Sequence, residues 1–316
     1  MKQRMICAAI TMAMMAASLA GFAAEPAGAA GKHIGVSVMN NVEPAFRLMV
    51  EAGQVAANER GVILNVVSAD GDIAKQISQV EDFISNKMDA IMVMPCDGEG
   101  IVPAIEAANA AGVPIFTVDI GAAGGEVAAH VTADNFGGGR ATGEWLVKRL
   151  GGKGNVIIMN DTKIDSVYPR ADGFKDAIKD SGIVIVEEAN VGYQRDIAMK
   201  SIEDFLIAYP EVNAIFAAQG LDVAIAANDA VVAANKLGKV VVCGFDGFEE
   251  SLDIMRTRES AIETDCFFDA DTIGYKAVNA VADLLEGKPI EKRVVAPAPL
   301  ITLDNVDAFY AEKYGK

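Results

Sequence analysis

Two aspartates stand directly after apolar runs, roughly half a chain apart. VPIFTVDIG (113–121) carries Asp119, and VVVCGFDG (240–247) carries Asp246. An ionised carboxylate accepts hydrogen bonds and donates none, so the pair suits a ligand rich in hydroxyl donors and repels an anion. Such bonds to charged groups contribute about 1.5 to 3 kcal/mol each. An aspartate after a strand can instead cap the following helix, but Asp119 precedes a glycine-rich loop.

The sequence contains no complete motif for catalysis or cofactor binding. NFGGGRATGEW (135–145) resembles a phosphate-binding loop, yet Thr142 stands where the Rossmann pattern requires a glycine, and no Lys-Ser/Thr pair follows. We interpret it as the small-residue start of a helix. GxSxG, HExxH and zinc-ligand spacings are missing. The two histidines, His33 and His130, have no ligand-spaced companion, and Cys96 with His130 would be an isolated pair. We therefore expect no catalytic site, no cofactor and no metal.

Short apolar strands alternate with amphipathic helices along the whole chain. The helices carry apolar residues at spacings of three and four, as in Ile77, Val80 and Ile84. Nearly continuous apolar strands joined by helices are typical of parallel sheets that are covered on both faces. Ligands bind such sheets outside the carboxyl ends of the strands. The predicted strands are 33–39, 62–68, 90–95, 113–119, 130–132, 155–160, 184–189, 214–218 and 240–246. The fold class is therefore α/β, in two successive arrays.

Charge and the first residues indicate export. The 316 residues include 44 acidic and 27 basic ones, for a formal net charge of −17, which repels nucleic acid and anionic membrane. Lys2 and Arg4 precede an uncharged run, 6–24, as in a secretory signal peptide. We predict that residues 1–23 are this peptide, with cleavage after Ala23, and Ala20 and Ala30 are the alternative cleavage sites. No charge cluster follows to favour the alternative, a retained membrane anchor. The remaining cysteines lie in apolar stretches, which indicates buried thiols rather than disulfides.

Six segments share their order and spacing with a known family. They are VSVMNNVEPAF (36–46), IMVMPCDGEGIVPAIEAANAAGVPIFTVD (91–119), TADNFGGGRATGEWL (132–146), YPRADGF (168–174), NAIFAAQ (213–219) and VVVCGFDG (240–247). Together they resemble the ribose- and galactose-type periplasmic sugar-binding proteins that serve ABC transporters, and the likeness covers about residues 34–300.

The resemblance implies a monomer with the type I periplasmic binding protein fold. Two doubly wound parallel-sheet lobes, joined by a three-segment hinge, would close on a sugar. The N-terminal lobe would comprise 33–133 plus 269–296, and the C-terminal lobe 134–268 plus 297–316.

The resemblance also implies a set of ligand contacts. Asp119 and Asp246 would accept hydrogen bonds from hydroxyls, and Arg170 would bridge adjacent hydroxyls with its rigid fork. Phe46 and Tyr193, one from each lobe, would sandwich the apolar side of the ring. The other expected contacts are Asn41 after the first strand, Gln219 where the family usually has Asn, and Phe268 where it usually has Gln. Core packing of Phe46 and surface pairing of Arg170 with a nearby aspartate are the structural alternatives.

Departures from the family pattern bear on the ligand. Ile120 stands where an Arg commonly follows the first aspartate, and Met94 where an Asn is common. Together with Phe268, these leave fewer polar partners in the first lobe. They favour a smaller, partly deoxy or linear polyol-like ligand, unless Arg47 or Glu43 supplies the missing polarity.

The favoured function is that of a periplasmic solute receptor without enzymatic activity or stable membrane insertion. It would bind one small neutral sugar or polyol by lobe closure and deliver it to an ABC permease, with a chemoreceptor as a further candidate partner or as its sole one. A transcriptional regulator of the lac repressor type shares this core, but the signal peptide and the lack of a helix-turn-helix oppose it. An α/β enzyme is the third class, and the lack of a recognisable nucleophile or base opposes that.

Overall fold

The computed structural model describes residues 28–162, 164–192 and 194–315. The predicted signal peptide and Tyr193 lie outside this part of the chain. The first elements are β1 (His33–Val38), α1 (Pro44–Arg60), β2 (Ile63–Ser68), α2 (Ile73–Ser85), β3 (Ala90–Val93), α3 (Val102–Ala111), β4 (Ile115–Val118) and β5 (His130–Ala133). The later elements are α4 (Asn135–Arg149), β6 (Lys153–Asn160), α5 (Tyr168–Ile178), β7 (Gly182–Asn190), α6 (Arg195–Ala208), β8 (Ala214–Ala217), α7 (Leu221–Ala233), β9 (Val241–Asp246), α8 (Glu249–Arg256), β10 (Ile262–Phe267), α9 (Ala270–Leu285), β11 (Arg293–Ala296), β12 (Leu300–Thr302) and α10 (Val306–Tyr314).

The N-terminal lobe is built on a parallel six-stranded sheet. Its order is β11-β5-β4-β3-β1-β2, and every pair is parallel. Side chains of a strand alternate between the two faces. On β3, Met92 therefore packs in the core with α1 and α9, whereas Ile91 and Val93 pack with α2 and α3. Gly274 of α9 lies against the backbone of Met49 and leaves no room for a Cβ, so α1 and α9 approach closely.

The C-terminal lobe repeats this plan in the order β12-β10-β9-β8-β6-β7. Helices α6, α7, α8 and α10 cover one face, and α4 and α5 cover the other. Strand β12 runs antiparallel to β10, which differs from the wholly parallel sheet predicted. Because β11 ends at Ala296 and β12 begins at Leu300, the chain enters the second sheet at the carboxyl ends of its strands and must run back.

The chain passes between the two sheets three times. It does so after β5, after β10 and between β11 and β12. The predicted fold class, two α/β lobes with parallel-dominated sheets, is confirmed, while the residue limits of the lobes stay predictions. Within the described residues, no helix combines the length and the apolar character needed to span a membrane.

Candidate ligand-binding site

The carboxyl ends of both sheets face one cleft of about 480 Å³. The N-terminal lobe lines it with residues 39, 40 and 42–46, which include the start of α1, and with Asp119 and Ile120 after β4. The C-terminal lobe contributes Arg170, Gln219 and Asp246, among others. Six of the eight expected contact residues therefore line the same cavity, and these are Phe46, Asp119, Arg170, Gln219, Asp246 and Phe268. Their contact with a ligand stays a prediction.

Asp119 presents an unsatisfied acceptor to this cleft. Its backbone has φ +63°, a left-handed conformation that aspartate and asparagine tolerate better than most residues. The residue is 8% exposed, and its Oδ1 atom has no hydrogen-bond partner among the described residues. Burial raises its pKa to about 7, and the charges of Asp246 and Asp165 act in the same direction while Arg170 opposes them. A ligand donor would therefore relieve a carboxylate that is costly to leave unpaired.

Asp246 already has partners within its own lobe. Its Oδ2 atom accepts a hydrogen bond from the N–H of Leu221 at 3.1 Å, at the start of α7. Its Oδ1 atom accepts one from Arg170 Nη1 at 3.3 Å. Burial still outweighs these bonds and raises the pKa of Asp246. Gly220, at φ +119°, passes so close to the carboxylate that a side chain there would collide with it.

Arg170 is fixed in place from several sides. It is 4% exposed; its Nε donates to Asn135 Oδ1 at 2.9 Å and its Nη1 to the carbonyl of Ala218 at 3.0 Å. The guanidinium carbon lies 3.8 Å from the centroid of the Phe245 ring. Helix α5, which carries Arg170, packs tightly on α4 because Gly139 meets the carbonyl of Arg170 itself. The glycine-rich segment therefore positions this arginine, and the alternative of a surface ion pair for Arg170 is wrong.

Gln219 adds a polar group without a partner. It follows β8, is 2% exposed, and neither its Oε1 nor its Nε2 has a hydrogen-bond partner among the described residues. Leaving a buried donor or acceptor unsatisfied costs about 1 to 3 kcal/mol. The amide can therefore donate one hydrogen bond to a ligand and accept another.

Aromatic rings supply the apolar walls of the cleft. Phe46 and Phe268 are 6% and 2% exposed and belong to the N-terminal core while also lining the cavity. The two roles considered for Phe46, core packing and contact with the cleft, are thus combined. Phe248, which the sequence analysis missed, is a further lining residue. The prediction for Tyr193 lies outside the described residues.

The prediction for Asn41 does not fit the geometry. Asn41 is exposed and does not line the cleft, whereas its neighbour Asn40 does. Asn40 Oδ1 accepts hydrogen bonds from the N–H groups of Val42 and Glu43, both at 2.9 Å. This turn places Asn40 inward ahead of α1, where Pro44 occupies the first turn. Two adjacent asparagines gave no sequence signal for choosing between them.

Acidic residues at the rim of the cleft were also missed or left open. Glu43, Asp222 and Glu250 line it. The Nη2 atom of Arg195 lies 2.8 Å from Asp222 and 3.2 Å from Glu250. Burial raises the pKa of Glu43, with further contributions from Asp222 and Asp246. Asp222 and Glu250 occupy first turns of helices, where an acid commonly stabilises the helix, so the sequence could not mark them as part of a cleft.

The groups considered for catalysis are poorly suited to it. Burial raises the pKa of the Cys96 thiol to about 11, whereas a thiol nucleophile requires a lowered pKa. His130 Nδ1 shares a hydrogen bond with Thr117 at 2.9 Å, and burial lowers its pKa. Across residues 28–162, 164–192 and 194–315, no group of three potential ligands is arranged to hold a metal ion.

The lobes also touch outside the cleft. The N–H of Gly121, after β4, donates to Asp165 Oδ1 of the other lobe at 2.7 Å. Lys313 of α10 donates to Asp271 at the start of α9 at 2.6 Å. These two contacts therefore join the lobes directly.

Comparisons with known proteins agree with this arrangement. The family described as "Periplasmic binding protein domain" matches residues 34–289. The ribose import binding protein of Bacillus subtilis is 31% identical over 271 residues, which cover 85% of this chain and 87% of that protein. The xylitol-binding protein of Mycolicibacterium smegmatis is 29% identical over 76% of this chain and 68% of its own. An ABC transporter solute binding protein from Bacillus halodurans with bound myo-inositol superposes with a TM-score of 0.81 at 27% identity, over 90% of this chain and 99% of that one.

Proposed function

The chain belongs to the periplasmic binding protein domain family, and from that membership we propose that it binds a sugar or polyol between its lobes and delivers it to an ABC permease. The observation that carries this proposal is a pair of buried polar groups, Asp119 Oδ1 on one side of the cleft and the Gln219 amide on the other, for which the described residues supply no hydrogen-bond partner. A hydroxyl group of a ligand can donate a hydrogen bond to the Asp119 carboxylate, and it can donate to or accept from the Gln219 amide. A periplasmic location, after export by the predicted signal peptide, belongs to the same proposal.

Each lobe has its own part in binding. Asp119 accepts a hydrogen bond from the N-terminal side, while Gln219 and the already fixed Asp246 and Arg170 face the ligand from the C-terminal side. Phe46 and Phe268 cover apolar faces of the ligand. Because the site draws on both lobes, ligand contact favours the closed arrangement, and a permease can recognise that arrangement.

Binding without catalysis is the activity that the side chains support. Cys243 and Cys266 are fully buried, and burial raises the pKa of each. In the described structure the thiol of Cys96 is bonded by backbone groups: its Sγ lies 3.9 Å from the carbonyl of Met39, and the backbone of Gly71 also bonds it. The related proteins named above are transport binding proteins, so we propose no reaction for the bound solute.

A thermal-shift screen tests the proposal. The mature protein, stripped of bound solute by unfolding and refolding, is screened against pentoses, hexoses, inositols and linear polyols. A ligand at a hundredfold above its dissociation constant should stabilise the protein by about 2.7 kcal/mol. Gln219→Leu removes the amide at similar volume and should reduce the shift. Gln54→Leu, on the exposed face of α1, should retain it. If no sugar or polyol shifts the melting temperature, the proposal is wrong.

A further inference from the structure

Acidic side chains outnumber basic ones among the described residues that line the cleft. Five carboxylates line it, from Glu43, Asp119, Asp222, Asp246 and Glu250, and among the described lining residues the only cationic side chain is that of Arg170. Arg170 lies 3.3 Å from Asp246. Asp222 and Glu250 share Arg195 at the rim. Each of these three acids therefore has a cationic partner within the protein, with one positive charge shared between Asp222 and Glu250.

Asp119 and Glu43 remain without an ion pair to any described residue. Asp119 is 8% exposed and its Oδ1 atom has no hydrogen-bond partner in that part of the chain. Ile120, the next residue, is apolar and lines the same cleft, and the positive charge that acts on Asp119 is that of Arg170, which already pairs with Asp246. Glu43 lies near two further acids, Asp222 and Asp246, whose charges act on it. Buried charges are normally paired, so the buried carboxyl group of Asp119 favours a ligand that brings a positive charge, and the exposed Glu43 adds a second negative charge to the same cleft.

A bound metal ion is a poor candidate for that charge. No group of three potential ligands is arranged for a metal in the described residues. The walls are instead suited to an organic molecule, since Phe46, Phe248 and Phe268 line the same cavity as Asp119. Gln219 adds an amide with both polar atoms unpartnered at 2% exposure, which suits hydroxyl groups rather than a cation alone.

We infer that the ligand is a polyhydroxylated compound with one protonated primary amine, an amino sugar or an aminocyclitol, whose ammonium group binds at Asp119 while Glu43 adds negative charge nearby. This inference rests on the proposed function and specifies the charge of the ligand. The sequence pattern favoured a neutral compound, whereas the inferred ligand carries one positive charge. An ammonium offers three N–H donors and no acceptor, which complements carboxylates. An aromatic face attracts a cation as well.

Matched ligand sets test the inference by isothermal titration calorimetry of the stripped protein. Each set contains an amine, its parent hydroxyl compound and its N-acetyl derivative, for example glucosamine, glucose and N-acetylglucosamine, or an aminodeoxyinositol set. We expect the amine of one set to bind at least tenfold more tightly than the other two members, because its ammonium group adds the attraction between opposite charges to the hydrogen bond that a hydroxyl also makes. Asp119→Asn should remove this preference, and Glu43→Gln should weaken it several-fold. Glu203→Gln, an exposed charge change on α6, should leave it intact.

Proton release gives an independent readout. Burial raises the pKa of Asp119 to about 7, so at pH 6 the empty site largely holds a proton that an ammonium must displace. Titrations in two buffers of different ionisation enthalpy should then show release of a proton with the amine and none with the parent compound. If a parent sugar or polyol binds as tightly as its amine, the inference is overturned and the proposed function stands. If no member of any set binds, both are overturned.

Discussion

Replacing Asp119 by Asn should stabilise the ligand-free protein while it removes the preference for an amine-bearing ligand. The substitution keeps the shape of the side chain, and asparagine tolerates the left-handed backbone of this position, at φ +63°. It removes a carboxylate that is 8% exposed and has no partner for its Oδ1 atom in the described structure. The substitution therefore also removes the free-energy cost of burying a charged carboxylate.

The magnitude follows from the pKa of the group. In the unfolded chain Asp119 loses its proton near its ordinary value of 3.8, whereas in the folded protein burial raises the pKa to about 7. Between these values the folded state holds a proton that the unfolded state has released, so the stability of the native protein falls as pH rises. The slope is about 1.4 kcal/mol per pH unit. Above pH 7 the native protein has lost on the order of 4 kcal/mol of stability through this group. Below pH 3.8, the pKa of Asp119 in the unfolded chain, there is no such loss.

Urea unfolding at pH 5 and pH 8 measures the effect. Asp119→Asn should raise the free energy of unfolding at both pH values, and the gain should be larger at pH 8 by roughly 3 kcal/mol. Asp70→Asn is the matched control, because Asp70 also has a positive φ of +54°. That residue is exposed, and a hydrogen bond from Lys75 lowers its pKa, so its replacement should give no gain. A gain for Asp119→Asn that does not change with pH would refute the reasoning, since the buried carboxylate would then not be its source.

Three further perturbations test how the site is held. Arg170→Lys keeps the charge but loses the planar fork that bonds Asn135, so ligand affinity should fall at least tenfold by calorimetry; an unchanged dissociation constant would contradict this role. Gly139→Ala should lower the melting temperature, because its Cβ would meet the carbonyl of Arg170, whereas Gly28→Ala, in open space, should not. In native mature protein a thiol reagent should label only Cys96, and slowly, because burial raises its pKa to about 11; native labelling of the two buried cysteines would argue against the described packing.

Much of the fold followed from local pattern. Strand β1 was predicted at 33–39 and β8 at 214–218, and they were observed at His33–Val38 and Ala214–Ala217. Periodicity succeeds here because the central strands are continuous buried runs and the helices are buried on one side, which gives two distinct patterns. Strand β12, with its three residues, was not predicted. Its direction depends on where the chain returns from the other lobe, which no local pattern records.

The site was only partly accessible from sequence. Asp119, Gln219 and Asp246 were found because they end strands, and parallel strands place such residues at one edge. The hydrogen bonds around Arg170 could not be predicted, because its partner Asn135 lies in a glycine-rich helix start. The pairing of Arg195 at the rim could not be predicted either, because it joins residues from three separate helices. These contacts depend on tertiary packing, and a sequence shows them only once the fold is known.

The fixation of Arg170 has a consequence for the entropy of binding. A side chain that already bonds Asn135 and the Ala218 carbonyl and stacks on Phe245 has little freedom left to lose when a ligand arrives. The C-terminal lobe therefore offers a preorganised surface. The entropy that binding costs therefore falls on groups other than Arg170. A site fixed in this way retains affinity that would otherwise be lost in ordering the side chain.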